Sequence, residues 1–418
     1  MNNYPPSQTS ASHKDHYTPG FDLLKRYADI LVKRALGSGR GIAHGDVVLC
    51  SIPLAAKAMA VPLQQAIFEA GGHPLIVFSD ESVTKHFYTH AQPHQREFFP
   101  ADWQFGLLNQ IDHSLRIIAS DDCHLLRDIP PEIIMQRQQA LSPYKKEFFA
   151  KEHRNQLTWT LALFGTPAMA AEANLTIEEY RDQIINACGL DLADPLEAWD
   201  RTVSAVARIK KTLDEMKIER LHMIGEDCDL HIGLGKQRCW LGGSGRNIPS
   251  FEVFTSPDWR ATQGWMRFNQ PMYRFGSLVE GIELHFRDGS ITHASATKNE
   301  SLLTAMIAQP GANKVGEYSL TDRRLSKITK FMAEILYDEN IGGTYGNSHI
   351  AVGSAYKDAY TGGPLESVTQ QEWDDLGFNE SVEHTDLIST KNRQVTAYLA
   401  DGTSRVIYTD GQFTFPIY

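Results

Sequence analysis

From residue 21 to about 216 the chain alternates short apolar runs with helical stretches, and this rhythm limits the fold more than any other feature. "DVVLCSI" (46–52) reads as a buried strand, and "HPLIVFS" (73–79), "LRIIAS" (115–120) and "LTWTLALFG" (157–165) read as further strands. Helical patterns separate and follow them: 54–72, closed by glycine despite Pro62, then 131–152, 176–188 and 195–216. Strands that alternate with helices imply βαβ units and a largely parallel sheet.

After "KIERLHMIG" (217–225) the rhythm changes. Asp288-Gly289 sits between two β-like runs in "IELHFRDGSITHASA" (282–296), and Asp401-Gly402 and Asp410-Gly411 repeat the device. Such dipeptides close hairpins, so this half is expected to be mainly antiparallel, with strands curling toward a barrel. One helix is expected over 321–337, with Thr321 as its N-cap. The fold class expected is an α/β domain with a largely parallel sheet (21–216), joined to an α+β domain with an antiparallel, barrel-like sheet (217–418). Residues 1–20 are polar and rich in Pro, Ser and Thr, and are expected to form a flexible arm. His13 and His16 there read as an incidental pair.

A chain of 418 residues is long enough for two or three domains with their own cores. A net charge of −11 argues against a nucleic-acid or anionic-membrane partner, which would need a basic surface. No apolar run approaches the roughly 20 residues of a membrane span, and the N-terminus has no apolar core of a signal peptide. Five scattered cysteines, Cys50, Cys123, Cys188, Cys228 and Cys239, suggest neither a disulfide framework nor a thiolate zinc site. That usage fits a reducing cytoplasm.

Several tempting motifs fail on spacing. "GSGRG" (37–41) is not a full G-x-G-x-x-G and precedes a strand; "GLGKQ" (233–237) lacks the P-loop offset. "KEHRN" (151–155) is not H-E-x-x-H, and Ser244 in "GGSGR" is not in G-x-S-x-G. What remains lies in the second half: Glu252 in "SFEVFTSP", Glu317 in "GEYSL", Glu339 in "LYDEN", His349 in "SHIAVGSAY", and His384 and Asp386 in "EHTDLIST". His384 and Asp386 alternate, so on a strand both face one space, as a surface pair or as two ligands of one metal. Singly, Glu317 could be a solvated strand residue and His349 a hydrogen-bonded core histidine. Together, four carboxylates and two imidazoles suit two divalent cations about 3.5–4 Å apart. Imidazole with carboxylate suits zinc, cobalt or manganese; an all-oxygen shell would suit magnesium or calcium.

At these residues the sequence resembles the dinuclear metallo-aminopeptidases typified by the thermophilic aminopeptidases T, S and II. "NIPSFEVFTSPD", "GEYSL", "LYDEN", "SHIAVGSAY" and "HTDLIST" carry the resemblance, in order, and it runs over most of 21–418. It implies an N-terminal α/β domain, a C-terminal catalytic domain and a homodimer. It also implies two divalent metal ions (Zn, Co, Mn or Mg) held by Glu252, Glu317, Glu339, His349, His384 and Asp386. Tyr356 would assist catalysis and Glu317 would handle the proton in hydrolysing the first bond of short peptides with a free N-terminus. "EDCDLHIGL" resembles the strand leading into the family's active-site domain. The sequence departs from the family's pattern in a longer, glycine-rich "NIGGTYGNS" between Glu339 and His349, in "FE" before "VFT", and in the arm at 1–20.

Two alternatives accompany this reading. His349, His384 and Asp386 alone make the two-histidine-one-carboxylate set of non-haem Fe(II) oxygenases, and the ring-cleaving dihydroxypyridine dioxygenases resemble this fold distantly. Such a mononuclear site would not require Glu252, Glu317 and Glu339. The other alternative is a non-catalytic binding module on the same fold.

Overall fold

In the computed structural model, which describes residues 19–274 and 277–418, the first half builds a five-stranded parallel sheet. Its strand order is His73–Ser79, Val47–Pro53, His113–Ile118, Thr158–Leu163 and Asn247–Ile248. The apolar runs read from the sequence are the first four strands, paired in parallel register. The fifth comes from the second half: Asn247 and Ile248 pair with Leu161 and Ala162. The arm expected over 1–20 falls almost wholly outside the described residues, as do His13 and His16.

Helices cross between these strands much as the periodicity requires, with two breaks. The stretch 54–72 is a 3-10 segment, Leu54–Met59, followed by a helix, Ala60–Glu69. Pro62 lies in the first turn of that helix, where its missing N–H costs nothing. The stretch 131–152 divides into Pro131–Ala140 and Ser142–His153, because Pro143 starts a new helix instead of continuing the old one. Ile177–Ala187 and Pro195–Glu215 form as expected, each with a side-chain N-cap, Thr176 and Asp194.

Among the described residues the second half contains no closed barrel. It forms an open eight-stranded antiparallel sheet, running from Ser290–Ser295 at one edge to Gln412–Phe413 at the other. The hairpins at Asp288-Gly289, Asp401-Gly402 and Asp410-Gly411 are all present. Asp410 and Gly411 both take positive φ, +50° and +74°, as a tight two-residue hairpin turn requires. A separate four-stranded antiparallel sheet has the order His384–Ser389, Asn347–Gly353, Val315–Thr321, Glu252–Thr255. One continuous apolar core, from Tyr27 and Ile52 to Tyr318 and Ile350, joins the two halves.

The helix expected over 321–337 is not there. Thr321 ends a strand, and only Ile335–Asp338 is helical. Tertiary contacts override the helical pattern in between. Buried Asp322 is held by Arg324 and accepts from the Phe413 N–H, and Gln183 Oε1 accepts from the N–H groups of Thr329 and Lys330. Ala333 at φ +50° then rules out a continuous helix.

Candidate metal centre

Antiparallel pairing puts five candidate ligands on one face of the four-stranded sheet. Directly opposed residues point the same way, and so do residues two apart on a strand. Ser319 opposes both Phe254 and His349, and His349 opposes Ile388. Glu252 lies two residues from Phe254, and Glu317 two from Ser319. Asp386 and His384 lie two and four from Ile388. All five side chains therefore point to one side, and the alternation seen in His384-Thr-Asp386 belongs to that side.

The side chains meet. His349 Nε2 is 3.1 Å from Glu317 Oε1 and 3.3 Å from Glu252 Oε2. His384 Nε2 is 3.7 Å from Glu317 Oε2 and 3.6 Å from Asp386 Oδ1. Two sets thus share Glu317: Glu252–Glu317–His349 and Glu317–His384–Asp386, each with its ligand atoms within 4.8 Å of one another. Glu339 is buried at the C-terminal end of the Ile335–Asp338 helix, and its charge is felt by the same carboxylates. Tyr356 packs edge-on against His384, with ring centroids 4.8 Å apart, and its N–H donates to Ser256 Oγ at 2.7 Å. The long "NIGGTYGNS" connection is pinned near its start, where the Gly342 N–H donates to Ile328 O.

Burial and neighbouring charges shift several of the groups that meet here. Burial pushes Glu317 up to about 7 against the hydrogen bond from His349, with Glu252 and Asp386 adding repulsion. Glu339 is raised well above its ordinary value, first by burial and then by Glu252 and Asp386. Burial acts to lower the two imidazoles, but their carboxylate neighbours outweigh it: His349 is held well above 6.5 and His384 rises to about 9. For Asp386, burial is outweighed by the bond from His384, and its pKa is lowered. Burial, then the surrounding carboxylates, keep the Tyr356 phenol well above 10.

This donor set fits divalent cations. Four carboxylates crowded in a low-dielectric interior repel one another unless positive charge lies between them. Two cations of charge +2 would balance them with both imidazoles neutral. The His384 Nδ1 lies 2.8 Å from the Ser354 carbonyl, which selects the tautomer with a free lone pair on Nε2, the atom facing Glu317 and Asp386. The centre is closed at one end, where Glu252, Glu339 and His349 are buried. It opens at the other, where Tyr356 keeps 40% of its surface exposed.

Sequence reasoning missed the supporting shell. Ser319 donates to Glu252 Oε2 at 2.9 Å, and the side-chain amides of Asn247, Asn340 and Asn347 gather around Glu339. Asn340 stood inside the quoted "LYDEN", but nothing in one sequence separates a supporting amide from a surface one. Among the described residues a further group, His222–Asp229–His231, lies on the eight-stranded sheet. Its atoms are already engaged: His222 Nε2 with Asp229 at 2.8 Å, His231 Nδ1 with the Arg220 guanidinium at 3.0 Å. A guanidinium there disfavours a second cation.

The chain is 26% identical to aminopeptidase PepS of Streptococcus thermophilus, covering 94% of this chain and 99% of the relative. It is 27% identical to aminopeptidase T of Thermus thermophilus with the same coverages. The solved structure of wild-type AmpT from Thermus thermophilus superposes with a TM-score of 0.81 at 24% identity, over 94% of this chain and 99% of that one. The dioxygenase alternative gains no support from these relatives. Residues 22–413 match the family model of the thermophilic metalloproteases, and the chain belongs to that family, M29.

Proposed function

We propose that this chain is a metal-dependent aminopeptidase that removes the N-terminal residue of short peptides at a two-metal centre. Glu252, Glu317, Glu339, His349, His384 and Asp386 would hold two divalent ions, zinc, cobalt, manganese or magnesium. When bound, such ions supply a water-derived nucleophile near neutral pH and polarise the scissile carbonyl. The observation that carries the reading is the convergence of five candidate ligands on one sheet face, with Glu317 common to both sets.

The chain's own residues account for the rest. Glu317, common to both ligand sets, is given the proton-transfer role: it would take a proton from the nucleophile and return it to the leaving amine. Tyr356 stays protonated and so can donate a hydrogen bond to the developing oxyanion. A closed inner end, where Glu252, Glu339 and His349 are buried, leaves no room for chain preceding the substrate's first residue. Free termini are therefore preferred over blocked ones.

Residues 217–418 serve in this reading as the catalytic domain and 21–216 as its α/β partner, acting as a homodimer in the cytoplasm. All five cysteines are unpaired, consistent with a reducing compartment. The test is release of the first residue from unblocked dipeptides and from their N-acetylated counterparts, with metal content per chain measured in parallel. Equal cleavage of both substrates, or full activity after exhaustive chelation, would overturn the proposal.

A further inference from the structure

Glu339 is the one candidate ligand outside the four-stranded sheet, so something else must fix its carboxylate. Three amides surround it. Asn247 Nδ2 donates to its Oε1 at 3.2 Å, Asn340 Nδ2 donates to the same oxygen at 3.3 Å, and Asn347 Nδ2 donates to its backbone carbonyl at 2.8 Å. Asn340 is fully buried, and its own Oδ1 accepts the Phe251 N–H at 2.7 Å, next to Glu252. It therefore ties the segment bearing Glu252 to the one bearing Glu339. Asn347 begins the strand that carries His349.

Asn247 differs from the other two in what holds it. Its backbone belongs to the fifth strand of the N-terminal parallel sheet, opposite Leu161. Its neighbour Arg246 secures the same strand: the guanidinium bonds Glu152 at 2.9 Å and Asp358 at 2.6 Å, and the backbone carbonyl accepts from the Leu161 N–H. Asp358 lies two residues beyond Tyr356. The N-terminal sheet is thus tied to both ends of the centre through two consecutive residues of the second half, Arg246 and Asn247.

We propose that Asn247 is a positioning residue for the metal centre: with Asn340 it occupies one oxygen of Glu339, leaving the other for a cation, and through it the N-terminal sheet braces that ligand. This rests on the metal-centre reading above. A carboxylate held by two neutral donors keeps its orientation, whereas one left free in a closed pocket would turn away from its neighbours Glu252 and Asp386. Asn247 is only half-buried and its strand pairing is made by backbone groups, so its side chain can be changed without dismantling the sheet.

The experiment is equilibrium dialysis of the full chain against graded zinc, with zinc per chain measured for wild type, Asn247→Ala and the near-isosteric Asn247→Asp. The thermal midpoint of each metal-free protein is recorded alongside. The expected result is that wild type retains two ions, while Asn247→Ala holds its weaker ion about 10–100-fold less tightly at an unchanged metal-free midpoint. Asn247→Asp, which turns a donor into a repelling acceptor, should lose still more. Either variant retaining both ions as wild type does overturns the assignment of Asn247 while leaving the centre intact. Wild type that takes up no zinc overturns both.

Discussion

His349 and Glu317 face each other across adjacent strands at 3.1 Å, with side chains only 1% and 5% exposed. An imidazole and a carboxylate buried this closely are costly to leave half-neutralised, since Glu252 and Asp386 crowd the same carboxylate. The relationship makes Glu317 the pivot of the site, because His384 approaches its other oxygen.

Glu317→Gln should therefore remove activity and spare the fold. The amide matches the carboxylate in shape but cannot accept and return a proton, so turnover of an amino-acid anilide should fall by about 10²–10⁴. The metal-free variant should melt at or above wild type, because one repelling charge has gone. Hydrolysis at the wild-type rate would remove Glu317 from the mechanism.

Stability of the metal-free protein should fall as pH rises. Glu317 is raised from 4.5 to about 7, so its favourable contribution is complete below 4.5 and is lost as pH passes through 7. His384 is raised from 6.5 to about 9, so its contribution is complete below 6.5 and is lost through 9. Both slopes have the same sign, whereas lowered Asp386 acts oppositely and only below about pH 4. Thermal midpoints measured from pH 4.5 to 9 should decline after chelation and stay flatter when zinc or cobalt is restored. A midpoint that rises over that range without metal would contradict the charge balance described here.

Tyr356→Phe should separate catalysis from binding. The ring packs between Phe254, at 5.4 Å, and His384, at 4.8 Å, and phenylalanine preserves both contacts. Only the hydroxyl is lost, so kcat should drop by about 10²–10³ while KM changes little. A rise in KM alone would make Tyr356 a substrate-binding residue instead.

The parallel sheet was legible because Val47–Pro53 and Thr158–Leu163 are largely buried, which leaves the mainly apolar runs "VVLCSI" and "LTWTLAL". The convergence of candidate ligands was legible because His384 and Asp386 alternate within one strand and therefore share a face. The span 322–334 was not. Its helical pattern reports local preference, while distant parts of the chain hold it: Gln183 accepts from the Thr329 and Lys330 N–H groups, and the Phe413 N–H donates to Asp322. The fifth strand was hidden for a related reason: Asn247–Ile248 is two residues long, too short to carry periodicity, and its place is set by pairing across more than eighty residues. Barrel closure likewise depends on whether edge strands meet, which alternation within each strand does not encode.

Gly346→Ala tests whether the connection between Glu339 and His349 is spacer or structure. Gly346 has φ +63°, a conformation that costs an L-residue about 1 kcal/mol or more. A Cβ there would also run into the Tyr408 hydroxyl and the Thr321 carbonyl. Those two groups are bonded to each other at 2.9 Å, and Thr321 closes the strand that carries Glu317. The added methyl must therefore break that bond or push apart the strands bearing Glu317 and His349. A loss of about 2–4 kcal/mol in urea unfolding is expected, combining backbone strain with overpacking. Metal affinity should fall with it, since Asn347 and His349 follow directly on the same strand. Gly343, by contrast, has only Thr390 at 3.9 Å from its added Cβ and φ +58°. Gly343→Ala should therefore cost only the backbone term and leave metal binding unchanged. Equal effects of the two substitutions would show the connection to be a spacer.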